Sequence, residues 1–179
     1  MTIHSEHPFA DPPRDRSPLR RFRGRLVSPV SVWTALGGGH RAGWTVSSFL
    51  VADGEPGEVL GIVDEDSDLG ELLRHPEAEA AVVVNLLGWA QRGLADAFAG
   101  QAPAPGGVFR LGEWTESAWG PVLVGAAGWI GARLGAEPPG HAGWGLLVRA
   151  TVEHVELPDV DADGLLSHVH GRYRAVRRD

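Results

Sequence analysis

The sequence contains no cysteine, which removes disulfides and thiolate metal sites from consideration. It also lacks any apolar run long enough to cross a membrane as a helix. Its first residues, with His4, Glu6 and His7, have neither the basic start nor the apolar centre of a secretory signal. A cytoplasmic protein with no membrane partner is the expectation. An excess of positive charge is missing too. The formal net charge of −7 argues against a broad nucleic-acid surface, and the arginines near the two ends (Arg20, Arg21, Arg23, Arg25; Arg172, Arg174, Arg177, Arg178) read as solvated helix and tail surfaces. No internal repeat is visible. What is present is ordinary for a globular chain: 43% hydrophobic and 22% charged residues over a length of 179, enough to close one core and short for two.

Residues 1–16, rich in Pro, Asp and His, read as a flexible leader, and 17–179 as one domain. Ser17 is placed to cap a helix, Pro18 suits its first turn, and Leu19, Phe22 and Leu26 recur at helical spacing. A two-residue alternation then marks a strand through Val30, Val32 and Thr34. Gly37-Gly38-Gly39 allows a reversal, and a second strand carries Gly43-Trp44-Thr45-Val46-Ser47-Ser48-Phe49. A third strand is expected over 58–63 and a helix from the acidic run at 64–67 through Leu69, Leu72 and Leu73 to His75, stopped by Pro76. The apolar run 80–87 reads as a buried strand and about 91–98 as a helix. Residues 100–107 form a loop, 108–119 is irregular, and 122–134 and 144–157 are further strands. Strands outnumber helices and hairpins dominate the connections. A mainly β fold follows: a small antiparallel barrel with peripheral helices.

The hydroxyls of Thr45, Ser47 and Ser48 admit two readings, the wet face of a hairpin or a place where a ligand meets backbone. His141, His154, His168 and His170 invite a metal reading, with His168 and His170 on one side of a strand, but no third ligand has a forced spacing and no metal is expected. Neither Ser47 nor Ser48 sits in a strand-to-helix elbow, which excludes a serine hydrolase of that type. Seven tryptophans beside a single tyrosine are unusual; most suit a core or an interface, and Trp33 and Trp44 are candidates for stacking.

Four segments occur in one order: the helix leading into Pro29-Val30-Ser31-Val32-Trp33-Thr34; the 43–49 motif; Ala81-Val82-Val83-Val84-Asn85-Leu86-Leu87 followed by Gln91, Leu94, Ala95 and Phe98-Ala99-Gly100; and His170-Gly171-Arg172-Tyr173. Together the chain resembles the flavin reductase-like, FMN-binding split-barrel family, the reductase components of two-component flavin monooxygenases. The resemblance implies an antiparallel split β-barrel and a homodimer with FMN, or FAD, near the subunit interface. Thr34 and Ala35 would lie beside the flavin, and Trp44, Thr45, Val46, Ser47 and Ser48 would supply its hydrogen bonds, with Asn85 as a further contact. For the phosphate Ser67 is one candidate; the phosphate could instead rest on the N-terminus of the following helix or be met by His40, Arg41 or Arg172. The implied reaction is hydride transfer from NADH or NADPH to flavin, with no catalytic side chain, and the reduced flavin would pass to a separate monooxygenase.

Two departures qualify that expectation. Asp64-Glu65-Asp66-Ser67-Asp68 places four carboxylates in five residues where the family holds a phosphate, and each close pair of unit charges would cost about 4 kcal/mol at an intermediate dielectric. The same acids suit the N-terminus of the following helix. Trp144 stands where many family members have a histidine near the nicotinamide; it could stack on that ring or fill its groove. A flavin-binding member without reductase activity, and a cofactor-free structural or interaction protein with the same barrel, are the alternatives.

Overall fold

The computed structural model describes residues 17–75, 80–159 and 164–177. The chain begins with helix α1 (Pro18–Arg23), followed by strands β1 (Ser28–Pro29), β2 (Ser31–Gly37), β3 (His40–Val46), β4 (Phe49–Ala52) and β5 (Glu58–Asp64). Helix α2 (Asp68–Arg74), strand β6 (Ala81–Leu86) and helix α3 (Arg92–Phe98) come next. Then come strands β7 (Trp114–Ser117), β8 (Gly120–Leu123), β9 (Gly128–Leu134), β10 (Gly140–Ala142), β11 (Gly145–Glu156), β12 (Leu165–Val169) and β13 (Arg172–Val176). The helix starts follow the local chemistry. Ser17 Oγ accepts from the Arg20 amide at 3.3 Å with Pro18 in the first turn, and Ser67 Oγ accepts from the Gly70 amide at 2.9 Å. Pro76 lies outside the described residues.

Seven strands pair antiparallel in the order β3-β2-β6-β9-β11-β5-β4, and β10 adds to β11. The first and last strands of that path are consecutive in the chain, joined by Ser47 and Ser48 alone. Three Cα steps reach no more than about 11 Å, so the sheet must curl until its two edges come together. The Ile62 amide donates to the Ser48 carbonyl at 2.9 Å, which carries the β4–β5 ladder up to that seam. The result is a split barrel, as the strand count and hairpins led one to expect.

The barrel interior is apolar. Trp33, Ala35, Val46, Val59, Val82, Val84 and Val148 converge there, and Leu69 and Leu73 of α2 pack into the same cluster. Trp33 is fully buried, with its indole N–H donating to Ser31 Oγ at 3.1 Å. Its ring occupies the place a side chain at Gly61 would need, since a Cβ there would fall 2.6 Å from it. The opposite face of β2 is covered as well. Val30 and Val32 join Leu87, Ala95, Phe98, Leu123 and Leu166 in a second cluster outside the barrel. Ser31 and Thr34 are therefore buried, and β2 has no wet face from Ser31 to Ala35.

Four sequence expectations change. The stretch 108–119, expected to be irregular, holds strand β7. The second run of the opening hairpin ends at Val46, where the chain leaves β2 and joins β5. The stretch 122–134 is two strands, broken at 124–127, where Gly125 takes φ +75°. The segment around His170 is a hairpin rather than one strand: β12 and β13 pair, and His170 and Gly171, at φ +52° and +72°, form its turn. His168 and His170 therefore do not share a strand face, and the metal reading loses its geometry.

Candidate functional site

Strand β3 sorts the expected ligand residues onto two sides. Ala42, Trp44 and Val46 pack toward the barrel interior. Gly43 and Thr45 face α3: a Cβ on Gly43 would lie 2.7 Å from Phe98 and 3.2 Å from Phe109, and the Thr45 hydroxyl donates to the Ala95 carbonyl at 2.7 Å. Arg41, on the same side, donates through Nε to Glu116 Oε1 at 2.7 Å, and its guanidinium lies 5.9 Å from the Phe109 ring centroid. The chain has no lysine, so every permanent side-chain cation is an arginine. Arg41 and Arg110 line a cavity of about 390 Å³ together with Asp68, Gly106, Gly107 and Phe109. Arg110, absent from the sequence expectation, has no carboxylate partner among the described residues. The only signal for it was an arginine just after a Gly-Gly pair in a stretch without periodicity.

The acidic segment is largely occupied. Asp64 Oδ1 accepts from the Asp66 amide at 3.0 Å, and Glu65 Oε2 lies 3.6 Å from His141 Nδ1. Ser67 caps α2 and donates to the Asp64 carbonyl at 2.6 Å. Of these residues Asp68 alone lines the cavity, so most of the expected repulsion is directed elsewhere.

Thr34 and Asn85 are fully buried, and their polar atoms serve the β7–β8 hairpin. The Thr34 hydroxyl donates to the Pro121 carbonyl at 2.6 Å. The Asn85 amide donates to the Val32 carbonyl at 3.1 Å and Thr34 Oγ1 at 3.2 Å, and its carbonyl accepts from the Leu123 amide at 2.8 Å. Both residues pin the hairpin to the barrel exterior. That hairpin separates two cavities: Glu116 reaches Arg41 on one side, while the adjacent Thr115 lines a second cavity of about 430 Å³ on the other. Ala35 is also fully buried.

Ser47 and Ser48 are half-buried at the seam, and their hydroxyls make no hydrogen bond among the described residues. Arg172 is exposed on β13, in the separate three-stranded sheet β1-β12-β13. Its neighbour Tyr173 packs under that sheet. Burial first, and then a hydrogen bond with Asp96, push the Tyr173 hydroxyl above its ordinary pKa. Trp144 is 93% exposed. It sits with Gly143, at φ +63°, in the turn between β10 and β11, so its indole fills no groove of this chain.

A flavin nucleotide needs a cation or amides for its phosphate and uncharged donors along its ring. Two arginines around a cavity of small-molecule size, beside β3 with two unengaged serine hydroxyls at its end, fit those needs. Arg41, Ser47 and Ser48 are thus the expected residues whose exposed chemistry suits a ligand.

A curled antiparallel sheet whose edges meet at a two-residue seam, with helices outside, defines the split-barrel class. The sequence profile of the "flavin reductase like domain" matches residues 23–177. The chain belongs to that family. It is similar to the FMN reductase (NADH) RutF of Ancylobacter novellus, at 33% identity over 116 residues, which are 64% of this chain and 62% of RutF; the match thus spans less than two thirds of that relative. The solved structure of the NADH:FAD oxidoreductase SgcE6 of Streptomyces globisporus superposes with a TM-score of 0.76 at 24% identity, covering 94% of this chain and 97% of that one. BorF, the flavin reductase component of a bacterial two-component tryptophan halogenase, superposes with a TM-score of 0.73 at 23% identity, covering 90% and 98%. At these identities the two structures establish a shared fold.

Proposed function

We propose that this protein is an NAD(P)H:flavin oxidoreductase that binds FMN, or FAD, along β3 and transfers a hydride to it from a nicotinamide. The observation that carries the reading is the pair of unengaged serine hydroxyls at the barrel seam, in a chain whose family match spans residues 23–177. A bound flavin supplies the two-electron acceptor. The chain's own work is positional: Ser47 and Ser48 donate to the ring edge without adding a competing charge, and Arg41 and Arg110 neutralise the phosphate. Glu116 holds Arg41 in place. Thr34, Ala35, Trp44, Thr45, Val46, Ser67 and Asn85 act behind that surface by fixing β2, β3, α2 and the hairpin. Arg172, on the other sheet, is the alternative phosphate contact.

The same reading includes a homodimer that delivers reduced flavin to a separate monooxygenase in the cytoplasm. Its support on this chain is the apolar surface left uncovered at Phe22, Leu50, Val51 and Trp144, which are 63%, 55%, 54% and 93% exposed. Among the described residues no helix is long and apolar enough to cross a membrane.

Purified protein incubated with FMN should show a shifted visible flavin spectrum that bleaches on anaerobic addition of NADH or NADPH. Binding without bleaching would leave a flavin carrier, and no uptake of FMN or FAD would end the proposal. Arg41→Ala should weaken FMN at least tenfold and riboflavin hardly at all; equal losses would remove Arg41 from the phosphate.

A further inference from the structure

The cavity of about 430 Å³ on the other side of the β7–β8 hairpin has different chemistry from the arginine-lined one. Trp89 and Trp129 line it, both half-buried, with Val124 at its rim and the carboxylate side chains of Glu156 and Asp159. No arginine or lysine lines it among the described residues; the Arg92 guanidinium lies 4.8 Å from the Trp89 ring centroid, so Trp129 is the indole without a cation on it. Glu156 and Trp129 are direct cross-strand partners on β11 and β9, so their side chains stand on one face of the sheet.

Trp129 is held as a rigid plate. Its ring centroid is 4.4 Å from that of His154, which stacks on Trp119 at 5.2 Å and 21°. The Trp119 indole N–H donates to Glu153 Oε2 at 2.6 Å, and Arg133 fixes Glu153 from the other side at 2.8 and 3.1 Å. Gly131 makes the stack possible, because a Cβ there would fall 2.4 Å from the Trp119 ring. His154 Nε2 is buried without a partner among the described residues, so that ring is held by stacking. A preorganised indole beside carboxylates that have no ion-pair partner among the described residues attracts positive charge through the ring quadrupole and through Coulomb interaction at once.

We propose that this cavity is a second small-molecule site, which takes a flat aromatic cation of the N-alkylpyridinium class, stacked on Trp129 with its charge toward Glu156 and Asp159. The site is independent of where a flavin sits.

Three one-ring probes of nearly equal shape test it on the full chain: 1-methylnicotinamide (cation), nicotinamide (neutral) and nicotinate (anion). With 15N-labelled protein, the cation should shift two of the seven indole N–H resonances, those of Trp89 and Trp129, in a saturable way. It should bind at least fivefold more tightly than nicotinamide, with nicotinate weakest. Glu156→Gln should keep the shifts and reduce the preference for the cation. Trp129→Leu should abolish saturable binding; if that variant does not fold, Val124→Arg, at an exposed rim position, should do so by placing a cation in the cleft. Equal binding of the three probes, a preference for nicotinate, or cation binding unchanged in both Glu156→Gln and Val124→Arg would overturn the proposal.

Discussion

On the inner face of β2 and β6, Trp33, Ala35, Val82 and Val84 meet other apolar side chains, whereas on the outer face Thr34 and Asn85 meet the polar backbone of the β7–β8 hairpin. The inner face is closed by area and shape. Any group there that loses a neighbour loses contact and transfer energy in proportion to the space left. The outer face is closed by a few directional bonds in the absence of water, where a lost partner strands a donor or an acceptor. The first arrangement makes a barrel; the second fixes where a wall stands between two cavities. Stability should therefore reside mostly inside, and the shape of the ligand surfaces mostly outside.

The largest expected effect tests the inner face. Trp33→Ala removes the biggest fully buried side chain of the barrel and should cost about 3–5 kcal/mol in urea unfolding, in the range of large aromatic truncations. Gly61→Ala approaches the same ring from the other side and should cost about 1–3 kcal/mol by overpacking. Both should lower the midpoint for the whole domain as one transition. If Trp33→Ala loses less than about 1 kcal/mol, the barrel interior does not carry the stability assigned to it.

Asn85→Leu comes next and acts on the outer face. It leaves the Leu123 amide and the Val32 carbonyl without their side-chain partners in a buried place, for an expected loss of about 2–3 kcal/mol. The diagnostic is where the loss appears. Amide exchange should accelerate at Leu123 and its β8 neighbours while the ladder between β6 and β9 stays protected. Uniform acceleration through the barrel would collapse the distinction between the two faces.

That distinction also explains what could be read from the chain in advance. The inner face was legible because apolar alternation, the Gly37–Gly39 turn and the Ser17 cap are local signals that the fold obeys. The outer face was not. Thr34 and Asn85 were expected to meet a ligand because the family resemblance implied it, and nothing local reveals a backbone partner 87 or 38 residues away. The break at 124–127 was missed for a related reason: small apolar residues continue through it, and only the left-handed glycine at 125 marks the turn. Of the candidate site, Ser47 and Ser48 were in view from the 43–49 motif, and Arg41 as one of the cations able to meet a phosphate. Arg110 and Glu116 were hidden because residues 108–119 had been read as irregular chain, and Trp129 stood in an expected strand with no role attached to it.

The smallest effect sharpens the comparison through pH. Among the described residues no buried side chain of the barrel is titratable, while the outer assembly contains His168, half-buried on β12 and in edge-to-face contact with Tyr173 at 5.7 Å. Burial, and secondarily the charge of Arg23, hold its pKa below the ordinary histidine value. The folded protein thus prefers the neutral ring. Above the ordinary value both states are neutral and the contribution is fully present. As pH falls below that value the unfolded chain takes up a proton that the folded one resists, and stability declines until the folded pKa is passed. Glu58 and Glu153, whose pKa values are lowered by hydrogen bonds to Arg149 and Arg133, lose their contributions by the same logic in the lower carboxylate range. Between pH 7 and 5 the wild-type urea midpoint should fall, and the fall should be smaller in His168→Gln. A variant that declines as steeply as the wild type would show that the outer sheet does not titrate through this residue.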